Sequence, residues 1–156
     1  CSSDLDEVLL SRAEALIMKK QYDKACEDLN AWMHNIVKTT VTLTPTLIQN
    51  FYNSVNYCYD DVDHLQSTVK KHLHPAFDID AEGSVQETML QCVLGFRRIE
   101  TVQEGKRWWD IKRYGIEITH RIDGEDPIYF VAGDLRGAIQ LPSDVINSGL
   151  QANPRN

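Results

Sequence analysis

The stretch Leu9–Asn30 reads LLSRAEALIMKKQYDKACEDLN, and how it folds decides the architecture of the chain. Taken back to Asp4, it opens on Asp4, Asp6 and Glu7 and runs to Lys19 and Lys20. Carboxylates at the start and ammonium groups at the end match the dipole of a helix, and Asp4 is a suitable N-cap. Apolar residues cover most of the circumference of this helix, which calls for contact on two sides. A second helix follows almost at once, since Tyr22, Ala25, Cys26, Leu29, Met33 and Ile36 recur at three- and four-residue spacing. So short a connection forces an antiparallel pair.

Working outward, Thr44 and Pro45 supply a cap and a first helical residue for TLTPTLIQNFYNSV. The segment NYCYDDVDHLQSTVKKHLHPAF that follows is polar, aromatic and irregular. Ser84 and Glu87 have capping-box spacing and begin a longer helix striped by Val85, Met89, Cys92, Phe96 and Ile99. Its expected end is near Glu104, where Gly105 interrupts it. Trp108 to Tyr114 can add a short helix that Gly115 stops. The tail differs in kind. IEITH and IYFVA flank an Asp-Gly turn signal and predict a small hairpin. GAIQLP predicts an extended piece, and SDVINSGL a short helix capped by Ser143. The fold class is mainly α with a small β-hairpin. One domain is expected over 1–156, divided into a helix pair (1–38), a helical region (39–115) and a hairpin with closing segment (116–156).

Composition narrows the function classes. With 156 residues and 42% hydrophobic content, the chain can bury a core. A formal net charge of -7 supplies no basic footprint for nucleic acid. No apolar run approaches the ~18 residues of a membrane span. Cys1, Cys26, Cys58 and Cys92 are scattered, with no C-x-x-C pair to favour zinc. Cys26 and Cys92 fall within apolar helical stripes and read as buried free thiols.

Motifs of reactive chemistry are thin. Asp78, Asp80, Glu82 and Gly83 echo the start of a calcium loop, but its twelfth position is Met89 rather than a bidentate carboxylate. His72 and His74 have metal-like spacing without a neighbouring ligand. No metal or other cofactor is expected, and no catalytic residue: there is no G-x-S-x-G, no P-loop, and no carboxylate pair evidently set in a cleft.

The first two helices carry the small-residue and Tyr-x-x-Ala texture of a tetratricopeptide hairpin, yet only one unit is present where about three are normally needed. At this point the chain resembles the C-terminal portion of SusD/RagB-family proteins, the surface glycan-binding lipoproteins of Bacteroidetes. DEVLLSRAEALIMKKQYDKACEDLN looks like their late tetratricopeptide-like hairpin, FRRIETVQEGKRWWDIKRYG like their most recognisable helix and turn, and GAIQLPSDVINSGLQANPRN like their closing segment. The resemblance implies a non-catalytic protein at the outer face of the outer membrane. Its partners are an oligosaccharide and a SusC-type TonB-dependent transporter, and its membrane association runs only through a lipidated cysteine. Cys1 stands where such a cysteine stands, but a late hairpin follows it at once, so an internal boundary is expected there. An alternative is a tetratricopeptide-like protein-interaction module with no carbohydrate role, which asks for a complete concave helical groove.

Trp108 and Trp109 lie adjacent in EGKRWWDIKRYG. Neighbouring helical residues point roughly 100° apart and cannot share one flat face. With Arg97 and Arg98 they are expected to act as a structural anchor, supported by helix-spaced pairs to Glu100 and Glu104. Tyr57 and Tyr59, in an irregular segment beside carboxylates, are the glycan-contact candidates, because a phenol offers both a stacking face and a hydroxyl. The first helix is further expected to leave an outer apolar patch around Leu5, Leu9 and Leu16 through which copies self-associate.

Overall fold

Six α-helices and one antiparallel strand pair make up the computed structural model, which describes residues 2–58, 70–120 and 122–154. Cys1 and Tyr59 lie outside the described residues, as does the side chain of Leu5. Helix α1 spans Ser2–Met18 and α2 spans Tyr22–Ile36. The first helix begins ahead of Asp4, so Asp4 is a helical residue rather than the cap. The turn between the two is closed by Lys20 in the left-handed region (φ 57°), a conformation unusual for a side chain other than glycine. Lys20 Nζ is held 2.7 Å from Asp80, which fastens that turn to the later loop. Arg12 clasps the buried Asp28 with two bonds, at 2.7 and 2.5 Å, and so ties α1 to α2.

Helix α3 (Pro45–Ser54) starts as its sequence dictates, with Thr44 Oγ1 accepting from the Leu47 amide at 3.2 Å. Helix α4 (Val85–Glu100) is capped by Ser84 Oγ, which accepts from the Glu87 amide. The reciprocal bond is displaced by one residue, since the Glu87 carboxylate receives the Gly83 amide. Helix α1 packs on both α2 and α4, while α3 packs on α4 and touches α2. The two sides of α1 are therefore covered from within the chain, by α2 and by α4. Leu9 and Leu16 are half-buried against the core rather than forming an outer patch. The alternative of an open helical groove for a protein partner finds this helix pair already occupied by α3 and α4.

The first half of α4 is buried on all sides, from Gln86 to Leu94. Its polar residues are satisfied by the chain that crosses them. Gln86 bonds the Ile17 carbonyl and the Asp80 amide, and Gln91 bonds both the amide and the carbonyl of Lys71. Burial without these partners would cost more than it returns. Trp32 is 1% exposed, stacks on Phe96 with 4.4 Å between ring centroids, and donates from Nε1 to Glu100 at 3.0 Å. This α2 residue, absent from the expected stripe, joins α4 to the rest of the core; Met33 is buried as the stripe expects, while Ile36 is exposed.

Beyond α4 a 3₁₀ turn (Val102–Glu104) and Gly105, at φ 68°, redirect the chain into α5, Arg107–Tyr114. Gly115 ends α5 in the left-handed region, and a Cβ there would run into the His74 carbonyl. Strands β1 (Ile118–His120) and β2 (Ile128–Phe130) pair antiparallel with Thr119 opposite Tyr129, the hairpin that the Asp-Gly signal predicts. In GAIQLP, Gly137 closes a 3₁₀ turn, Leu135–Gly137, and the chain is extended at Ala138 without pairing as a strand. In α6 (Ser143–Asn147), Ser143 is the first helical residue and Pro142 holds the cap position without a side-chain bond.

Candidate functional site

A cleft of about 320 Å³ lies where α5 meets α1. From α1 it receives Glu7, Ser11, Glu14, Ala15 and Met18, which recur at the spacing of one helix face. Lys106, Trp109, Asp110 and Arg113 line it from the α5 side, and Arg97 reaches in from α4. The sharp turn at Gly105 makes this possible by laying α5 back across the earlier helices.

The floor of the cleft is a largely buried ionic network, with Arg113 at its exposed edge. Glu14 accepts from Arg97 Nη2 at 2.5 Å, from Arg113 Nε at 3.1 Å and from the Tyr114 hydroxyl at 2.5 Å. Arg97 Nη1 donates to Asp110 at 2.7 Å, and Arg107 approaches the other Asp110 oxygen at 3.5 Å. One carboxylate of α1, one guanidinium of α4 and four side chains of α5 are thus locked together. Burial pushes the Glu14 carboxyl up, but Arg97, the Tyr114 hydroxyl and Arg113 more than offset it and hold it below its ordinary value. Burial and the adjacent Glu14 charge raise the Tyr114 phenol. Burial lowers the Arg107 guanidinium despite Asp110.

Arg97 ties α1 and α5 to α4 through Glu14 and Asp110 rather than through helix-spaced partners. Glu100 is taken by Trp32, and Glu104 lies 2.7 Å from Lys106. Arg98 is exposed and lines a different groove. The tryptophans part company. Trp108 is 37% exposed and leans on Phe130 with 5.3 Å between centroids, so it connects α5 to the hairpin. Trp109 is 70% exposed and forms part of the cleft wall. Of the pair expected to anchor the segment, Trp109 stands open to solvent, because the inward face of α5 belongs to Asp110 and Tyr114.

Tyr57 is not brought to this cleft. Its ring stacks on His72 at 4.0 Å and 9°, and Lys70 Nζ lies 4.1 Å from its centroid. His72 thus covers one face of this half-buried ring, with the Lys70 ammonium close against it. The calcium-like carboxylates are engaged elsewhere, Asp80 with Lys20 and Glu82 with His72 at 2.7 Å. Among the described residues no three His, Cys, Asp or Glu side chains form a group suited to a metal ion. Cys26 and Cys92 are free and buried, their thiols pushed by burial up to about 11 and about 12.

A larger groove of about 520 Å³ runs beside the second half of α4. Its walls include Leu94, Ile99 and Val102, and they hold no carboxylate. The Phe96 ring that borders it is already stacked on Trp32. Of the two hollows, the α1–α5 cleft alone joins an open aromatic face to charged and hydroxyl groups.

Among the described residues no helix is long and apolar enough to cross a membrane. Compared with known proteins, residues 5–126 match the model of the SusD family, and residues 127–156 lie beyond that match. No curated protein and no solved structure matches the chain.

Proposed function

We propose a glycan-binding role for the α1–α5 cleft, starting from one premise: the chain belongs to the SusD family. Proteins of that family bind glycans without transforming them and serve nutrient uptake. The observation that carries the assignment to this cleft is Trp109, an indole 70% exposed on the wall of a concave, polar site. Sugar rings present apolar C–H faces rimmed by hydroxyls. An aromatic platform beside fixed hydrogen-bonding groups meets both halves of that surface. Ser11 offers a hydroxyl. The Glu7 carboxylate keeps acceptor capacity beyond its bond to Lys106, since a carboxylate has about four lone-pair sites. The buried network below holds these groups in place, so little is lost in ordering them on binding. A volume of about 320 Å³ lies at the lower end of the ~300–1,000 Å³ of small-molecule sites, a size for one or two sugar units of a longer chain.

In this reading the protein captures rather than cleaves its glycan. It does so at the outer face of the outer membrane, as the partner of a SusC-type TonB-dependent transporter. Family membership supports both statements. Isothermal titration against a panel of oligosaccharides tests the cleft. Trp109→Ala should weaken binding about tenfold or more, equivalent to about 1.4 kcal/mol, while Tyr57→Ala leaves it unchanged. Full affinity in Trp109→Ala would remove the site from this cleft.

A further inference from the structure

Resting on the glycan-binding reading above, the charge pairing inside the cleft specifies the class of sugar. Three carboxylates line it, Glu7, Glu14 and Asp110, against three cations, Arg97, Lys106 and Arg113. Each cation is already engaged. Lys106 Nζ lies 2.7 Å from Glu7 and 2.7 Å from Glu104. Arg97 bridges Glu14 and Asp110. Arg113 donates to Glu14 at 3.1 Å, and its guanidinium lies 5.4 Å from the centroid of the Phe77 ring.

We infer that the cleft selects neutral sugars and discriminates against uronates and other acidic sugars. An acidic sugar gains from a protein mainly through charge-assisted bonds to a cation. Such a bond competes with a carboxylate of the chain at Lys106 and Arg97, and at Arg113, whose Nη donors stay open, it brings the anion up against Glu14. The exchange returns one charge-assisted bond for another. It also leaves the displaced carboxylate facing a second anion, and the ligand has surrendered its hydration to get there. The formal net charge of -7 adds a repulsive field around the whole chain. A neutral sugar meets none of these costs. Its hydroxyls donate to the carboxylate lone pairs that the ion pairs leave over, and its C–H face rests on Trp109. The cleft is therefore rich in acceptors and poor in unengaged cations, the complement of a polyol rather than of a polyanion.

Calorimetric titration with trisaccharides of glucose, galactose and mannose, each beside its 6-carboxylate counterpart, tests the inference. The neutral member of at least one pair should bind tenfold or more tightly than its acidic partner, and the gap should narrow as salt screens the repulsion. The double variant Glu7→Gln/Glu104→Gln releases Lys106 from both partners at half-buried and exposed positions, and should close the gap by gaining affinity for the acidic trimer. Equal or tighter binding of an acidic trimer by the unmodified chain overturns the inference while leaving the cleft a glycan site. An unchanged preference in the double variant overturns it as well, because the ion pairs are then not its cause. Failure of every trimer, neutral and acidic, sinks the glycan reading itself and the inference with it.

Discussion

Truncating the three tryptophans one at a time gives a graded test of where this fold is held. A buried tryptophan removes roughly 200 Å² from water, worth about 5 kcal/mol at about 25 cal/mol per Å². Trp32, at 1% exposure, should lose nearly all of that. Large-to-small substitutions of buried aromatics cost about 3–5 kcal/mol, so Trp32→Ala is expected there, with the bond to Glu100 lost as well. Trp108, at 37% exposure, retains about two thirds of the area and should cost about 2–3 kcal/mol. Trp109, at 70% exposure, should cost no more than about 1.5 kcal/mol. Urea unfolding followed by far-UV circular dichroism measures all three without relying on the indoles removed. If Trp32→Ala leaves no folded protein, Trp32→Phe keeps part of the stack on Phe96 and ranks the site. The reasoning is refuted if Trp109→Ala destabilises as much as Trp32→Ala, since that indole would then be buried.

Other perturbations have equally definite outcomes. Arg97→Met removes the shortest charged partner of both Glu14 and Asp110, leaving Arg113 and Tyr114 on the first and Arg107 on the second, and should cost about 3 kcal/mol by the same urea measurement. Glu14 has its folded pKa held below the unfolded value, so the unfolded chain binds more protons in the acid range and stability falls with pH there. Its contribution should be complete above the ordinary glutamate value of about 4.3 and lost as pH drops through the lowered folded value; Glu14→Gln should flatten that part of a stability–pH profile. Gly115→Ala places a Cβ at φ 57° against the His74 carbonyl and should lose more than about 1 kcal/mol in thermal or urea unfolding. Cys26 and Cys92, with thiols near 11 and 12, should resist iodoacetamide at pH 8 in the folded state and react after denaturation, as intact mass shows.

The helices were legible because their ends are written in the sequence. Thr44 with Pro45, Ser84 with Glu87, and Gly115 each sit where a cap or stop requires them, and Asp123-Gly124 marks the hairpin turn. Trp32 was within reach of the same periodicity, three residues after Leu29. Running the stripe on to Ile36, which is exposed, hid it, while Met33 is buried as expected. The exposure of Trp109 was not legible from hydrophobic pattern, for a physical reason. Helix α5 turns Asp110 and Tyr114 inward because Arg97, Arg107 and Glu14 compensate them, so its polar stripe is the buried one. Periodicity places a tryptophan in the core and an aspartate outside, and here both assignments invert. The only sequence signal was the density of opposite charges about the Trp pair, which fits a buried network as well as a solvated face. Tyr57 looked open because nothing local predicts that His72 and Lys70 fold back over its ring.

The most direct test of the glycan cleft uses the indole N–H resonances of Trp32, Trp108 and Trp109, one for each tryptophan of the chain. They are assigned by single substitutions and followed in a ¹H–¹⁵N spectrum while a neutral oligosaccharide is added. The Trp109 resonance should move in a saturable way with the calorimetric affinity, and that of Trp32, sealed between α2 and α4, should stay in place. A saturable shift elsewhere with Trp109 unmoved would contradict the account.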